Sequence, residues 1–255
     1  MPPDRPDASE PSDSPYEFPY PNPVLAADHP FVALEFEHRS LDEMRAAGRS
    51  FHEHLARRRS VRMLAPDPIP LDVIDQAIAT ASTAPSGAHL QPWTWVVVGD
   101  PDLKRQIREA AEEEERRNYL DNRMNAEWQQ ALAPLGTDHH KEFLEVAPWI
   151  VVLFEQRYGI NDDGSKKHHY YVKESCGIAA GLFIAALHEA GLATLTHTPS
   201  PMAFLTRILG RPDHERPFVL FPVGRPLPGV RVPDIERKPL DDVRVIVGDV
   251  QSHLR

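Results

Sequence analysis

Three largely apolar runs most strongly limit the fold that this chain can adopt. They are WTWVVV at 93–98, APWIVVLFE at 147–155 and FVLFPVG at 218–224. The first two are rich in β-branched and aromatic residues without polar alternation, which predicts strands covered on both faces, and the third run predicts another strand. A chain of 255 residues is long enough to bury these strands in one large domain or two small ones.

The segments around these strands have helical periodicity. The apolar positions repeat at three- and four-residue spacing, which is typical of amphipathic helices. Asp100 and Pro101 form an N-cap and a first helical residue, and Gly191 follows the last helical stretch. We predict helices over about 41–56 with Ser40 as N-cap, within 67–82, from 101 through 120, and over 174–190.

The two ends of the chain differ in composition from the middle. Nine of the 26 prolines lie in the first 30 residues, mixed with Asp, Ser and Glu, and such a segment cannot bury enough surface to offset its ordering entropy. We therefore predict a flexible tail over 1–35 and one domain over 36–255. After Arg225 the chain has four prolines and little periodicity, which indicates a loop or an arm on a neighbouring surface.

Charge and hydropathy argue against two classes of partner. The 28 basic and 38 acidic residues give 28 − 38 = −10, which argues against binding to nucleic acid. The longest apolar run, 176–187, is shorter than the roughly 20 residues that cross a bilayer, and the N-terminus lacks an apolar signal core. The single cysteine, Cys176, lies in an apolar helix and is interpreted as a small buried side chain. We predict a cytoplasmic protein without a membrane partner.

Residues 57–62, RRRSVR, form the densest basic stretch of this acidic chain. Clustered guanidinium groups bind phosphate through paired hydrogen bonds, and Ser60 adds a hydroxyl. The same cations would also complement the macrodipole of a helix that ends here. The residues alone leave both interpretations open.

Two further stretches have a functional and an ordinary interpretation. In APSGAH at 84–89, Gly87 would let the main chain approach a ligand, although an ordinary turn looks the same. The glutamates at 112–115 are typical of a solvated helix face. Glu115 and Tyr119, however, are four residues apart and share a face, so they could present a carboxylate and a phenol to one ligand.

Other common motifs are missing from the sequence. The 13 histidines include no H-E-x-x-H, and the single cysteine rules out paired C-x-x-C motifs, so no metal site is predicted. There is also no G-x-G-x-x-G, no P-loop and no G-x-S-x-G. The sequence therefore lacks the motifs typical of dinucleotide-binding proteins, nucleotide triphosphatases and hydrolases.

Nine segments in series resemble the flavin-dependent nitroreductase superfamily, and within it the iodotyrosine deiodinase branch. The resemblance extends from about residue 37 to about residue 245. The segments are RRSVR at 58–62, TAPSGAHLQPWTWVVVGDP at 83–101, EEEERRNY at 112–119, KEFL at 141–144, HYY at 169–171, TLTHTP at 194–199, LGRP at 209–212, PVGRP at 222–226 and VPDIERKPLD at 232–241.

The resemblance implies a fold, a cofactor and an activity. The fold is α+β and nitroreductase-like, with a central mixed β-sheet flanked by helices, in a homodimer that exchanges a C-terminal arm at about 226–245. The cofactor is FMN at the dimer interface, and the reaction is reductive dehalogenation of 3-halotyrosines. Reduced nicotinamide, NAD(P)H, or a separate reductase would supply electrons. The alternatives are a general nitroaromatic or quinone reductase and a flavoprotein that binds halotyrosine without turnover.

The resemblance also implies roles for individual residues. Ala88 would offer its main-chain amide to the substrate phenolate, and Thr198 would act in catalysis beside flavin N5. The other flavin contacts would be Arg58, Arg59, Ser60, Val61, Arg62, Ser86, Gly87, Thr196, His197 and Arg237. His197 stands where the family typically has threonine.

A lid at about 110–145 would hold the amino-acid end of the substrate through Glu115, Tyr119 and Lys141. This lid also makes sense from its chemistry. A free amino acid is a zwitterion, so a carboxylate can bind its ammonium group, a lysine its carboxylate, and a phenol can add a hydrogen bond. A nitroaromatic compound or a quinone offers no such pair of charges.

Overall fold

The computed structural model of the protein describes residues 18, 20–24, 26–120 and 126–248. Its helices are α1 Leu41–Ala56, α2 Leu71–Ala81, α3 Pro101–Leu120, α4 Ala126–Leu132, α5 Phe143–Val146, α6 Val172–Glu189, α7 Ala203–Ile208 and α8 Leu240–Val243. Its strands are β1 Trp93–Val98, β2 Trp149–Gln156, β3 Tyr158–Ile160, β4 Lys166–His168, β5 Ala193–Thr194 and β6 Glu215–Gly224. Short 3₁₀ turns occupy Gly87–His89 and Ala133–Leu135.

The three apolar runs form the adjacent strands β1, β2 and β6, as predicted. The sheet order is β1-β2-β6-β5, and β3 and β4 form a separate hairpin. Each pair of these strands is antiparallel, so the predicted mixed sheet is wrong for them. The one parallel pairing in the described part of the chain is an isolated bridge between Ser60 and Thr194. Continuous apolar strands show that both faces are covered, but they do not fix strand direction.

Helices cover both faces of the four-stranded sheet. On one face, α2 and α6 pack against Val151 and Leu153, while α3, α5 and α7 pack on the other face against Ile150 and Val152. These four residues of β2 are fully buried and alternate between the two faces, as the pleat of a strand requires. The confirmed α+β core therefore has two apolar layers, one on each side of the sheet.

Several helix ends follow the sequence signals. The Asp100 carboxylate accepts a hydrogen bond from the Leu103 amide at 2.8 Å, which caps α3. Gly191, at φ +75°, follows α6 in the left-handed conformation that glycine adopts without strain.

Burial, with Glu155 nearby, raises the pKa of the Cys176 thiol in α6 to about 12. This thiol behaves as the buried apolar side chain that the sequence predicts.

The chain divides into two units between Ser50 and Phe51. In the first unit, Ser40 and Glu43 form a capping box: the Ser40 hydroxyl accepts from the Glu43 amide at 3.3 Å, and the Glu43 carboxylate accepts from the Ser40 amide at 2.7 Å. The predicted tail over 1–35 lies partly outside the described residues, and its boundary stays a prediction. None of the helices described has the length and apolar character needed to cross a bilayer.

Candidate active site

The basic segment 57–62 lies beside β5. The Val61 amide donates to the Thr194 carbonyl at 3.1 Å, and Ser60 pairs with Thr194 in the parallel bridge. The Thr194 hydroxyl is anchored in turn to the Pro222 carbonyl of β6 at 2.8 Å. Main-chain pairing therefore joins the basic segment to the start of the 194–199 segment. A cavity of about 320 Å³ between them is lined in part by Arg58, Ser60 and Thr196.

The C-terminal segment covers this basic region within the same chain. Arg59 donates to the Pro233 carbonyl, and Arg237 donates to the carbonyls of Ala56 at 3.0 Å and Arg58 at 2.7 Å. Burial lowers the pKa of the Arg58 guanidinium, and the positive charges of Arg237 and Arg59 lower it further. No carboxylate within the described ranges forms an ion pair with these three arginines. Because α1 ends at Ala56, the cations also follow a helix C-terminus, so both interpretations of this stretch still hold.

A second cavity, of about 220 Å³, lies under the predicted lid. It brings together residues from α3, from the segment after α4, from the basic segment and from the segment after β5. The predicted site residues that line it are Arg62, Glu115, Tyr119, Lys141, Thr196, His197 and Thr198. We call this space the lid cavity.

The lid cavity contains a buried pair of opposite charges. The Lys141 ammonium lies 3.6 Å from a Glu115 carboxylate oxygen and 5.7 Å from the centre of the Tyr119 ring. It also donates to the main-chain carbonyl of Asp138. The Lys141 amide donates to the Glu112 carboxylate at 2.7 Å, so the first glutamate of the run positions the lysine. Three residues predicted to contact one ligand therefore do meet.

Desolvation dominates the electrostatics of this pair. Burial raises the pKa of the Glu115 carboxyl, and the nearby Lys141 charge opposes that rise. Burial likewise lowers the pKa of the Lys141 ammonium, against the effects of Glu115 and Asp138. The pKa of Tyr119 is raised by burial and by the Glu115 charge. Each charge of the pair is thus held away from water and stabilised mainly by the other.

His197 lies at the base of the lid cavity as a neutral imidazole. Its main-chain amide and carbonyl pair with Leu220 of β6 at 2.8 and 3.0 Å, and its ring meets Phe143 edge-on at 5.7 Å. Burial lowers its pKa to about 3, helped by the charges of Lys141 and Arg62. Its Nε2 atom is buried without a hydrogen-bond partner among the residues that the structure describes.

The predicted flavin loop, Ser86 to Ala88, does not line either cavity within this chain. Gly87 is required by close packing, because a Cβ atom there would lie 2.7 Å from the Tyr170 carbonyl oxygen. Ala88 adopts a left-handed φ of +49°, and the Ser86 hydroxyl accepts from the Gln91 amide at 3.0 Å. The shape of the loop is therefore specific, while its predicted roles in binding flavin and substrate stay predictions.

Sequence reasoning missed Asn118, which lies between Glu115 and Tyr119 in the lid cavity. Its side-chain amide donates to the Ser200 carbonyl at 3.1 Å, and the residue is only 9% exposed. This bond ties α3 to the segment that contains Thr198. The only sequence signal was its spacing of three from Glu115, which places both residues on one helix face.

Within the described ranges, no group of three or more His, Cys, Asp or Glu residues could hold a metal ion.

The antiparallel sheet, with an apolar core on each face and a charged cavity near its edge strand β5, defines an α+β protein with an internal site large enough for a small molecule. A family model described as the nitroreductase family matches residues 55–225. An iodotyrosine deiodinase from Haliscomenobacter hydrossis is 50% identical over 217 residues, 85% of this chain and 96% of the relative. Iodotyrosine deiodinase 1 of Rattus norvegicus is 48% identical over 206 residues, 80% of this chain and 72% of the relative.

Solved structures agree with these relatives. A crystal structure of oxidized iodotyrosine deiodinase bound to FMN and 3-iodo-L-tyrosine has a TM-score of 0.66 and 27% identity, over 78% of this chain and 97% of that one. A nitroreductase with bound FMN from Bacteroides fragilis has a TM-score of 0.56 at 18% identity, over 78% and 98%, and supports the fold alone. The chain belongs to the nitroreductase family and, within it, to the iodotyrosine deiodinases.

Proposed function

We propose that this protein is an FMN-dependent oxidoreductase that removes halide reductively from 3-halotyrosines. The observation that carries the proposal is the buried pair of Glu115 and Lys141, which shares one cavity with Thr196, His197 and Thr198. A buried ion pair contributes little net stability compared with an apolar pair of similar volume. Its presence beside the predicted flavin segment is therefore better explained by a ligand that carries both charges.

A free halotyrosine is such a ligand. Its ammonium group would replace Lys141 beside Glu115, and its carboxylate would replace Glu115 beside Lys141, so that both buried charges stay paired. Tyr119 lies against Lys141 and adds a phenol that can donate or accept a hydrogen bond. Closure of the lid over the ring would keep water away from the reacting atoms. Binding would therefore exchange one buried ion pair for two.

The residues present fit FMN. Arg58, Arg59 and Arg237 form a cluster of cations without a carboxylate partner among the described residues, which suits a phosphate group. The Ser60 hydroxyl and the main chain of Val61 lie in the same segment, and Arg62 reaches the lid cavity. When bound, FMN supplies the electrons for cleavage of the carbon–halogen bond. The protein supplies orientation and electrostatics around it.

The remaining roles follow from the chemistry of each group. The Ala88 amide donates to the substrate phenolate and so stabilises its negative charge. Thr198 carries a hydroxyl that can both donate and accept, which suits a position beside flavin N5, where protonation changes. His197 is neutral and offers the flavin edge an uncharged ring. Ser86 and Gly87 form the loop that covers the flavin.

The proposal includes a homodimer with an exchanged arm at about 226–245, in which Pro233 and Arg237 keep their contacts with the basic segment of their own chain. Ser86 to Ala88 lie outside both cavities of their own chain, so a second copy is the natural source of this loop for each site. Ile178 on α6 is 46% exposed, which leaves an apolar side chain available for such a contact.

NAD(P)H or a separate reductase is the proposed electron donor. A cytoplasmic location rests on the sequence alone.

The decisive experiment uses the flavin-loaded protein, reduced with dithionite in the presence of 3-iodotyrosine. We expect tyrosine and iodide in equal amounts. Reduction of nitroaromatics without affinity for iodotyrosine would instead identify a general reductase. Tight iodotyrosine binding without halide release would identify a binding flavoprotein.

A further inference from the structure

A large cavity lies next to the lid cavity and has no role in the proposed reaction. Its volume is about 1140 Å³, and it shares two lining residues, Thr198 and Ser200, with the lid cavity. Four arginines line it: Arg157, Arg207, Arg211 and Arg216. We call this region the arginine groove.

Three of the four arginines in the arginine groove have no ion pair within the described residues. Arg211 forms two bonds to the buried Glu215 carboxylate, at 2.7 and 3.0 Å. Arg157 donates to a main-chain carbonyl, that of Asp213, which leaves its charge uncompensated. Arg207 and Arg216 are exposed, and their side chains form no hydrogen bond or ion pair within the described part of the chain. Asp213 is the other carboxylate of the groove, so three cations face one anion in a chain of net charge −10.

This arrangement suits an acidic protein better than a small phosphate compound. Arg157, Arg207 and Arg216 are all exposed, and the helix that begins at the groove, α7, has only six residues. Phosphate sites usually hold the anion at the N-terminus of a regular helix or in a glycine-rich loop, and Gly210 is the one glycine that lines the groove in the described chain. Arginine is enriched at protein interfaces, and exposed charges of one sign accelerate the approach of an oppositely charged partner. The electrostatics therefore favour a transient protein contact.

We infer that the arginine groove is the docking surface for an acidic electron-carrier protein, which delivers electrons where the groove meets the lid cavity at Thr198. The inference rests on the proposed function, because only a redox site needs such a partner. Two one-electron carriers are each oxidised once, and one halotyrosine takes up these two electrons and one proton. The carbon–halogen bond breaks, a carbon–hydrogen bond forms, and halide leaves.

The test uses the flavin-loaded protein and two acidic probes, an oxidised [2Fe–2S] ferredoxin and an oxidised flavodoxin. The double variant Arg207→Glu/Arg216→Glu is compared with Arg105→Glu, which changes an exposed arginine on α3 outside the groove. Binding is measured by calorimetry at low and high salt. We expect at least one carrier to bind the wild type, and to bind the groove variant about tenfold more weakly at low salt, with no such loss in the control. High salt should remove most of the difference, since it screens exposed charges.

A kinetic readout accompanies binding. Flavin reduction by the reduced carrier should slow about tenfold in the groove variant, while reduction by dithionite and affinity for iodotyrosine stay unchanged. The inference is overturned if neither carrier binds the wild type, or if the groove variant binds both as well as the wild type does. A loss of dimer mass in the groove variant would also overturn it, because a second copy would then cover the groove. Failure of dithionite-driven dehalogenation would reject the proposed function while leaving carrier binding measurable.

Discussion

The lid cavity and the arginine groove share a wall but use charge in opposite ways. In the lid cavity, Lys141 is 3% exposed and its charge is matched by Glu115. In the groove, Arg207 and Arg216 are exposed and unmatched in the described part of the chain. A buried charge is destabilising without its partner, whereas an exposed charge costs almost nothing. The first region is therefore suited to selecting a ligand, and the second to attracting a partner from a distance.

Removing one charge of the buried pair is the strongest test of this difference between the lid cavity and the groove. Lys141→Ala and Glu115→Gln should each weaken halotyrosine binding by about 2 to 5 kcal/mol, because one charge of the zwitterion would be left buried and unpaired. Flavin affinity should not change. Titration of flavin fluorescence with 3-iodotyrosine measures both quantities.

Glu113→Gln is the matched control for these variants. Glu113 lies in the same glutamate run but pairs with Arg116 and Arg117 on the more exposed side of α3. Its loss should leave iodotyrosine affinity unchanged. If Glu115→Gln behaves like Glu113→Gln, the whole run is a solvated helix face.

The next largest effect should come from His197, whose folded-state pKa of about 3 lies below the ordinary 6.5. As the pH falls below 6.5, the unfolded state binds a proton at this residue before the folded state does, so the wild type loses stability down to about pH 3. Between pH 6.5 and 4.5 this loss amounts to roughly 2 kcal/mol. His197→Thr removes the titrating group and should flatten that part of the profile. Urea unfolding at several pH values tests this, and parallel profiles would contradict the burial of a neutral imidazole.

Loss of the hydrogen bond between Asn118 and Ser200, at the wall shared by the two cavities, should have a smaller effect on stability. Asn118→Ala removes the donor to the Ser200 carbonyl and should lower the free energy of unfolding by about 1 kcal/mol. Because Ser200 and Thr198 line both cavities, iodotyrosine affinity should fall as well. Asn161→Ala in the exposed β3–β4 turn removes a comparable side-chain bond and serves as control. Equal effects of the two variants on affinity would show that the Asn118 bond does not position the site.

The smallest effect on stability should come from the groove. Arg207→Gln and Arg216→Gln should each change the free energy of unfolding by less than about 0.5 kcal/mol, because neither side chain has a partner to lose within the described chain. Arg211→Gln should be clearly more destabilising, since it leaves the buried Glu215 carboxylate without its cation. Denaturant unfolding of the three variants side by side measures this order. A large loss at Arg207 would reveal a structural contact in place of a free charge.

The sequence predicts the elements of this fold better than their directions. β1 is found at 93–98 and α1 at 41–56, because buried apolar runs and helical periodicity are local properties. The mixed sheet came from the family resemblance and was wrong for the named strands. The apolar runs could not correct it, because strand direction depends on how long connections fold back across the sheet, and no local pattern records that. Composition therefore determines that the sheet is covered, while the packing of the intervening helices determines its topology.

The candidate site likewise contains features that local sequence predicts and features that it does not. The shared face of Glu115 and Tyr119 follows from their spacing, but the approach of Lys141 came only from the family resemblance, because the lid chain between them has no regular period. The bond from Asn118 to Ser200 spans 82 positions and ends on a carbonyl, which every residue has. No sequence pattern marks such a contact. The arginines of the groove are likewise scattered from 157 to 216 and meet only in the folded chain.

The pairing of Ser60 with Thr194 has a consequence for how such a protein can change over generations. Both this bridge and the pairing of His197 with Leu220 are made by the main chain, so their geometry does not depend on the side chains at those positions. The side chains at positions 60 and 197 can therefore be exchanged while the main-chain pairing keeps its register. The chemical groups of the pocket can therefore change over generations while the main-chain pairing that positions them is retained, and His197 is one side chain that this pairing accommodates.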